Sequence, residues 1–575
     1  MCLEMATNGT VERRTNENES YSCSSTICGN CLMHIHRLIP VDFKKEIVQL
    51  STMAAPVIMA QIMVFLLSFI STVFCGHLGK TELAAVALAV AVTNITGVSI
   101  GSGLSSACDT LISQTFGSRN LLKVGVILQR ALLIQLLACF PCWAILINTE
   151  PLLLAVRQSP ELARLAQTYV KILMPALPAT FIYQLEVRYL RNQGIIWPQV
   201  ITGVVANLLN ALINYIYLYA LNLGVIGSAW ANTISQFSLA LMLYAYILWK
   251  GLHKATWGGW SWECLEEWGT YIYLAIPSMV MLCVEWWTYE IGSFLAGLIS
   301  EVELGAQSVV YELSNICYVF PLGISLAGSV RVGNALGAGE TEQAKLSAKL
   351  TMFCAGSLSV CFSVLVGILK DHISYVFTYD EQIRERVAQV MAFYSPFLIL
   401  DAMTAASGSI IRGVGKQKVG AICSILGFYG IGFPIGIPLM FAAKLGIMGL
   451  WTGLFSCAFL QSSVLIVYLS KMSWKKATVE AQIRAGVQSN STDMNMAPNT
   501  HSDDSPPRGG HMDQTAQAKD GAEVDGETSD GVAPSTVGVL LSRRALLLRR
   551  GLALCFMLFI LALGIVVNLL LTNVI

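Results

Sequence analysis

Long apolar runs alternate with short polar breaks through most of the chain. They predict membrane-crossing helices at 50–75, 83–106, 121–147, 165–187, 197–221, 224–249, 270–298, 304–328, 344–369, 388–411, 419–443, 446–470 and 551–573. Most reach the ~20 apolar residues that a helix needs to cross a bilayer core. Twelve of these runs follow one another closely, and a polar stretch sets the thirteenth apart. Within that stretch, residues 478–540 are rich in Gly, Ser, Asp, Thr and Pro (SNSTDMNMAPNTHSDDSPPRGG). So few large apolar side chains cannot offset the entropy of folding, and a disordered linker is expected. Residues 1–46 are polar and lack the apolar core of a signal peptide.

The pattern repeats. GLSSACDTLISQTFG at 103–117 aligns with GISLAGSVRVGNALG at 323–337, and Leu223–Gly227 aligns with Leu445–Gly449. Arg191–Gly194 aligns with Arg412–Gly415 in the same way. Nearly one offset argues for two halves of six spans each. Six is even, so both halves enter from the same side and the repeat is parallel. Such halves commonly hold a substrate between them. The expected class is an all-α polytopic membrane protein: two six-helix bundles related by an internal parallel repeat, plus a thirteenth C-terminal span. The expected divisions are a tail at 1–46, an N-lobe at 47–249, a linker at 250–269 and a C-lobe at 270–470. A disordered linker at 471–545 and the last span with its external end at 546–575 complete the chain.

Composition agrees. Hydrophobic residues make up 55% of the chain and charged ones 13%, against about 25% charged in soluble domains. The formal net charge is zero, so there is no basic field for nucleic acid. Lys and Arg in the short loops favour a cytoplasmic N-terminus. Arg543, Arg544, Arg549 and Arg550 hold the start of the last span inside, which leaves an extracellular C-terminus. The sequons at Asn8, Asn18 and Asn490 then face the cytoplasm and Asn94 lies within a span, so none is expected to carry a glycan.

Energy-coupling motifs are missing. Gly79-Lys80-Thr81 has the ending of a phosphate-binding loop, but Phe74 stands where that loop needs Gly. No dinucleotide fingerprint, zinc-enzyme helix or catalytic dyad is evident, so neither an enzyme nor a cofactor is expected. The sixteen cysteines are scattered rather than arranged as a disulfide framework. Cys23, Cys28, Cys31, His34 and His36 have metal-ligand spacing, but thiols or lipidation sites near a membrane are the stronger reading.

Four acids sit inside apolar runs: Glu285, Glu290, Glu312 and Asp401. A charged acid at the bilayer centre costs roughly 2.5–3.5 kcal/mol, so it is rarely kept without a role. Glu285 and Glu290 are five residues apart, about 7.5 Å along a helix and ~140° around it. Glu285 therefore shares a stripe with Tyr289, and Trp286 shares one with Glu290. With Trp286, Tyr289 and Tyr311 interleaved, the acids have the chemistry of a cation pocket: Coulomb attraction and π faces. Pairing of each acid with a buried base is the alternative. In the N-terminal half Gln61, Asp109, Glu186, Asn207, Asn210 and Asn214 are polar within or beside spans. Gln61 joins the candidate site. Asp109 has a structural or an ionic role, and Asn207 and Asn210 either line a site or tie helices together.

At this point the chain resembles the multidrug and toxin extrusion (MATE) family, and within it the vertebrate members. The residues that carry this are VFCGHLGK at 73–80, SSACDTLISQTFGS at 105–118, ATWGGWS at 255–261, CVEWWTYE at 283–290, VELGAQSVVYEL at 302–313 and SVRVGNALGAG at 329–339. The resemblance implies two bundles around a cleft and electroneutral exchange of protons for organic cations. It also implies a plasma-membrane location, apical in excretory epithelia. The family's essential acids fall on Glu285, Glu290 and Glu312, and its fourth, usually Glu, is Asp401 here. The expected partners are organic cations, protons and the bilayer, with a monomer as the working unit. A sodium-coupled exporter of the same fold is the nearest alternative. A lipid-linked sugar flippase is more remote, because it would be expected to line its cleft with Arg or Lys.

Overall fold

The computed structural model describes residues 43–76, 78–376, 380–487 and 543–574. All regular elements among them are helical. The N-lobe comprises α1 (Phe43–Gly76), α2 (Lys80–Thr93), α3 (Ser99–Ser105), α4 (Ala107–Gly117), α5 (Leu121–Leu146), short α6 (Thr149–Ala155), α7 (Pro160–Leu173), α8 (Leu177–Asn192), α9 (Trp197–Tyr215) and α10 (Gly224–Trp249). A π-helical turn, Asn94–Val98, joins α2 to α3, so that 81–117 is a single crossing. The C-lobe comprises α11 (Trp268–Gly297), α12 (Glu301–Gly337), α13 (Thr341–Leu369), α14 (Glu381–Val414), α15 (Gln417–Ile425), α16 (Phe433–Phe441) and α17 (Ile447–Lys471). Two helices follow the lobes: α18 (Trp474–Ala485) and α19 (Arg543–Val574).

Among the described residues, twelve helical stretches are long and apolar enough to cross a membrane. The expected span at 165–187 is not among them. Pro175 and Pro178 interrupt it with a 3₁₀ turn at Met174–Ala176, which divides α7 from α8. Gln167, Lys171, Gln184 and Glu186 lower its hydropathy further. Helix starts follow local chemistry. Ser159 caps α7 ahead of Pro160, Ser300 accepts from the Glu303 N–H at 3.1 Å, and Asp380 accepts from the Gln382 and Ile383 N–H groups.

The linker expected to be disordered from 471 begins with a helix. Ser473 accepts from the Lys476 N–H, and Gly486, at φ 83°, closes α18. Ala477, Ala481 and Ala485 form a buried stripe, and the first two belong to a cluster with Val332, Leu336, Ile411 and Leu465 of the C-lobe. Residues 488–542 lie outside the described residues, as do the cysteine and histidine cluster at 23–36 and the sequons at Asn8, Asn18 and Asn490.

In lipid the hydrophobic effect does not drive helices together, so close packing of small residues must. The seam between the lobes shows it. A Cβ on Gly337 would lie 1.9 Å from the Gln114 carbonyl oxygen, one on Gly117 2.1 Å from that of Asn334, and one on Gly103 2.3 Å from the Met279 Cα. Across the same seam Thr110 donates to the Arg412 carbonyl at 2.5 Å, and Gln114 to that of Gly413 at 2.8 Å. Both lobes accordingly belong to one unit, residues 50–575. The inter-lobe linker is not loose either. Gln129 donates to the Gly259 carbonyl, Arg130 to that of Glu263, and Tyr189 and Thr256 share a hydrogen bond. Helix α19 lies on α5: Asn148 donates to the Gly564 carbonyl at 3.0 Å, and Asn568 to that of Ile147 at 3.0 Å.

Candidate functional site

The four acids come together within the C-lobe as two pairs. Glu285, near the middle of α11, lies within electrostatic reach of Asp401 on α14. Glu290, about one and a half turns further along α11, is within reach of Glu312 on α12. All four are partly buried. None has a Lys, Arg or His partner within 4.0 Å among the described residues.

Tyrosines join the pairs. The Tyr289 and Tyr311 rings lie 5.7 Å apart. Tyr289 is near Asp401 and Glu285, while Tyr311 is near Glu290, Glu312, Glu285 and Asn315. Behind them stands an aromatic wall. Trp451 on α17 meets Tyr289, Tyr394 and Phe397 at 6.4, 5.5 and 5.5 Å. Its indole N–H donates to Gln307 at 2.9 Å, which fixes the ring. Trp286 is half-buried and makes no ring contact among the described residues. Its neighbour Trp287 reaches the N-lobe instead, donating to the Ile95 carbonyl at 3.2 Å.

The N-lobe candidates divide. Gln61 is half-buried, one turn along α1 from Ile58, which lies against Gly323 of the C-lobe. It therefore shares the face of α1 that meets the C-lobe. Asp109 is 3% exposed. Its carboxylate is ion-paired with Arg188 and with Arg191 (2.8 Å), and it also accepts from Asn192 at 3.3 Å. That enclosure leaves it no free side for a ligand. Asn207 donates to the Met63 carbonyl at 2.9 Å, tying α9 to α1. Asn210 accepts from Ser71 at 3.3 Å and donates to Ser235 at 3.0 Å, so it connects α1, α9 and α10. Both act as helix ties.

Sequence reasoning missed Tyr318, Tyr394, Trp451 and Arg412. Tyr318 stands seven residues after Tyr311 and Tyr394 seven before Asp401, two helical turns in each case. Extending the face from the acids would have found both. Trp451, far along the chain, carried no such signal. Arg412 reads as a loop residue but forms the last turn of α14. It donates to Ser409 at 2.6 Å and lies within electrostatic reach of Asp109, Tyr318 and Glu285.

Comparison with known proteins agrees with the two-lobe fold and its internal repeat. The MatE family model matches twice, over residues 56–216 and 277–437. The offset is 277 − 56 = 221, in keeping with the internal repeat. A relative from Danio rerio described as multidrug and toxin extrusion protein 1 is 59% identical over 567 residues, 97% of this chain and 96% of its own length. The Homo sapiens protein of that description is 52% identical over 540 residues, 92% of this chain and 94% of its own. The crystal structure of a eukaryotic MATE transporter superposes with a TM-score of 0.75 at 28% identity, covering 77% of this chain and 99% of that one. With two lobes of matching repeat and relatives alike over nearly the whole length, the chain belongs to the MatE family of multidrug and toxin extrusion transporters.

Proposed function

We propose that this protein is a secondary active transporter that exports organic cations in electroneutral exchange for protons, by alternating access of its two lobes. One observation carries the reading: four unpaired acids gathered around tyrosines inside a membrane bundle. Were all four charged, their burial would cost on the order of 10–14 kcal/mol at the insertion-scale price per acid. Something positive must therefore offset them, and among the described residues no base within ion-pairing distance does so. A proton can neutralise an acid outright. An organic cation can do the same by Coulomb attraction, with its apolar body on the Tyr289 and Tyr311 faces.

Competition between the two gives exchange. From outside, protons occupy the acids and release the cation; from inside, the cation displaces protons. At one proton per cation, each pH unit supports at most roughly tenfold accumulation. Glu285, Glu290, Glu312 and Asp401 carry charge in this scheme, the tyrosines shape the pocket, and Gln61 faces it from the N-lobe. The working unit is a monomer in the plasma membrane, on the apical side of epithelia, with a cytoplasmic N-terminus. The seam end that carries α18 then faces the cytoplasm.

The test is uptake of a labelled quaternary ammonium into liposomes holding the purified protein, with pH and sodium gradients imposed separately. A pH gradient alone should drive uptake, and Glu285→Gln should abolish it at equal reconstituted protein. Uptake driven by sodium alone would replace protons with sodium as the coupling ion.

A further inference from the structure

Helix α18 lies outside the repeat, yet it touches both lobes. On the C-lobe side its alanine stripe rests on the ends of α12, α14 and α17. Lys416 pairs with Glu480 at 2.7 Å, Thr341 and Thr478 share a 2.7 Å hydrogen bond, and Arg484 donates to the Val414 carbonyl at 3.1 Å. On the N-lobe side the turn after α4 approaches the C-terminal end of α18. Lys123 donates to the Arg484 carbonyl at 3.1 Å, and Asn120 to that of Ala485 at 3.1 Å. Those carbonyls have no partner within the helix and carry the negative end of its dipole, so a lysine and an amide are suited to them.

Arg484 is the centre of this arrangement. Its side chain grips the C-lobe and its own carbonyl accepts from the N-lobe. Burial pushes its guanidinium down to about 10. The space it fills is supplied by Gly415, at φ 87°, where a Cβ would lie 1.8 Å from Nη1. The repeat-equivalent Gly194, at φ 78°, has nothing within 4 Å. The same helix-ending glycine thus occurs in both lobes, and only the C-lobe copy receives a guanidinium.

We propose that α18 is a strap across the cytoplasmic ends of the two lobes, with Arg484, Lys123 and Asn120 as positioning residues that hold the seam closed. The strap rests on the alternating-access reading above. Opening the seam requires the Lys123 and Asn120 contacts to part while α18 stays on the C-lobe, where its apolar stripe is buried.

The test is hydrogen–deuterium exchange by mass spectrometry on the purified full-length protein, with neither substrate nor gradient. Amides at 108–118 and 329–338 report on the seam, and those at 197–249 serve as an internal control. The double variant Asn120→Ala/Lys123→Ala removes both bonds, at about 1 kcal/mol each, and should exchange roughly thirtyfold faster at the seam, with the control unchanged. Lys123→Arg should restore the slow exchange. Gly337→Ala, a wedge against the Gln114 backbone, opens the seam directly and should also speed exchange. Faster exchange in the wedge variant alone would overturn the strap and leave alternation standing. No change in either would overturn the alternation together with the strap that rests on it.

Discussion

Amide replacement of two acids should move stability in opposite directions. Asp109 is ion-paired with Arg188 and Arg191 and is 3% exposed. Asp109→Asn leaves two guanidiniums facing each other with no anion between them. Removing one partner from a buried pair costs about 3–5 kcal/mol, because the remaining charge stays buried. That lowers the folded-to-unfolded ratio by two to three and a half orders of magnitude, at about 1.4 kcal/mol per decade. Among the described residues Glu285 has no ion-pair partner within 4.0 Å, so Glu285→Gln removes a burial cost without orphaning a base. Its stability should equal or exceed that of the parent, while its transport is lost. The assay is thermal unfolding of both variants in one detergent, followed by monodisperse peak height in size-exclusion chromatography after heating, beside uptake in liposomes. An Asp109→Asn variant as heat-stable as the parent would refute the enclosure as a stabilising element. A Glu285→Gln variant less stable than Asp109→Asn would refute the distinction between a structural acid and a transporting one.

Three further outcomes are expected. Asp401→Asn should lose most exchange in liposomes, whereas Asp401→Glu should keep it with an altered pH profile, since the added methylene moves the carboxylate by about 1.5 Å; an active Asn variant beside an inactive Glu variant would remove Asp401 from the charge pathway. Truncation after residue 487 should preserve exchange in liposomes, because both lobes and α18 remain, and an inactive but correctly folded truncation would place α19 within the transport core. Truncation after residue 480 removes Arg484 and Ala485, with two inter-lobe hydrogen bonds at about 1 kcal/mol each, and should shift seam closure by roughly thirtyfold, visible as faster seam exchange.

Some of this was plain in the sequence, for reasons the structure makes clear. Apolar length is a one-dimensional property, so spans and the internal repeat could be read directly. The acids were legible because burying them is costly wherever they fall. The stretch at 165–187 is helical but divided, because two prolines separate it into α7 and α8, each shorter than a full crossing. Helix α18 was hidden by the polar composition around it, although Ser473, Gly486 and three alanines at fourfold spacing announce a capped helix with an apolar stripe. Trp451 could not be placed, because what puts it beside Tyr289 is the packing of α17 against α11, a tertiary fact. Asp109 was open between a structural and an ionic role, and what encloses it, Arg188 and Arg191 of α8, lies far along the chain.

The fastened linker has a mechanical consequence. Residues 256–263 are bound to α5 and α8, and Glu267, at φ 50°, is tethered to Arg130 at 3.3 Å immediately before α11 begins. The covalent connection between the lobes therefore has almost no slack, and the fastening continues into the first turn of α11, where Tyr271 donates to the Leu104 carbonyl at 2.9 Å. Helix α11 has 30 residues, which makes it a lever of about 45 Å at 1.5 Å per residue. In the alternation proposed here, a tilt of about 10° about that fastened turn would carry the far end of α11 through roughly 7 Å at the same helical rise. Glu290, well along the lever, would travel several times further than the tryptophan at its root.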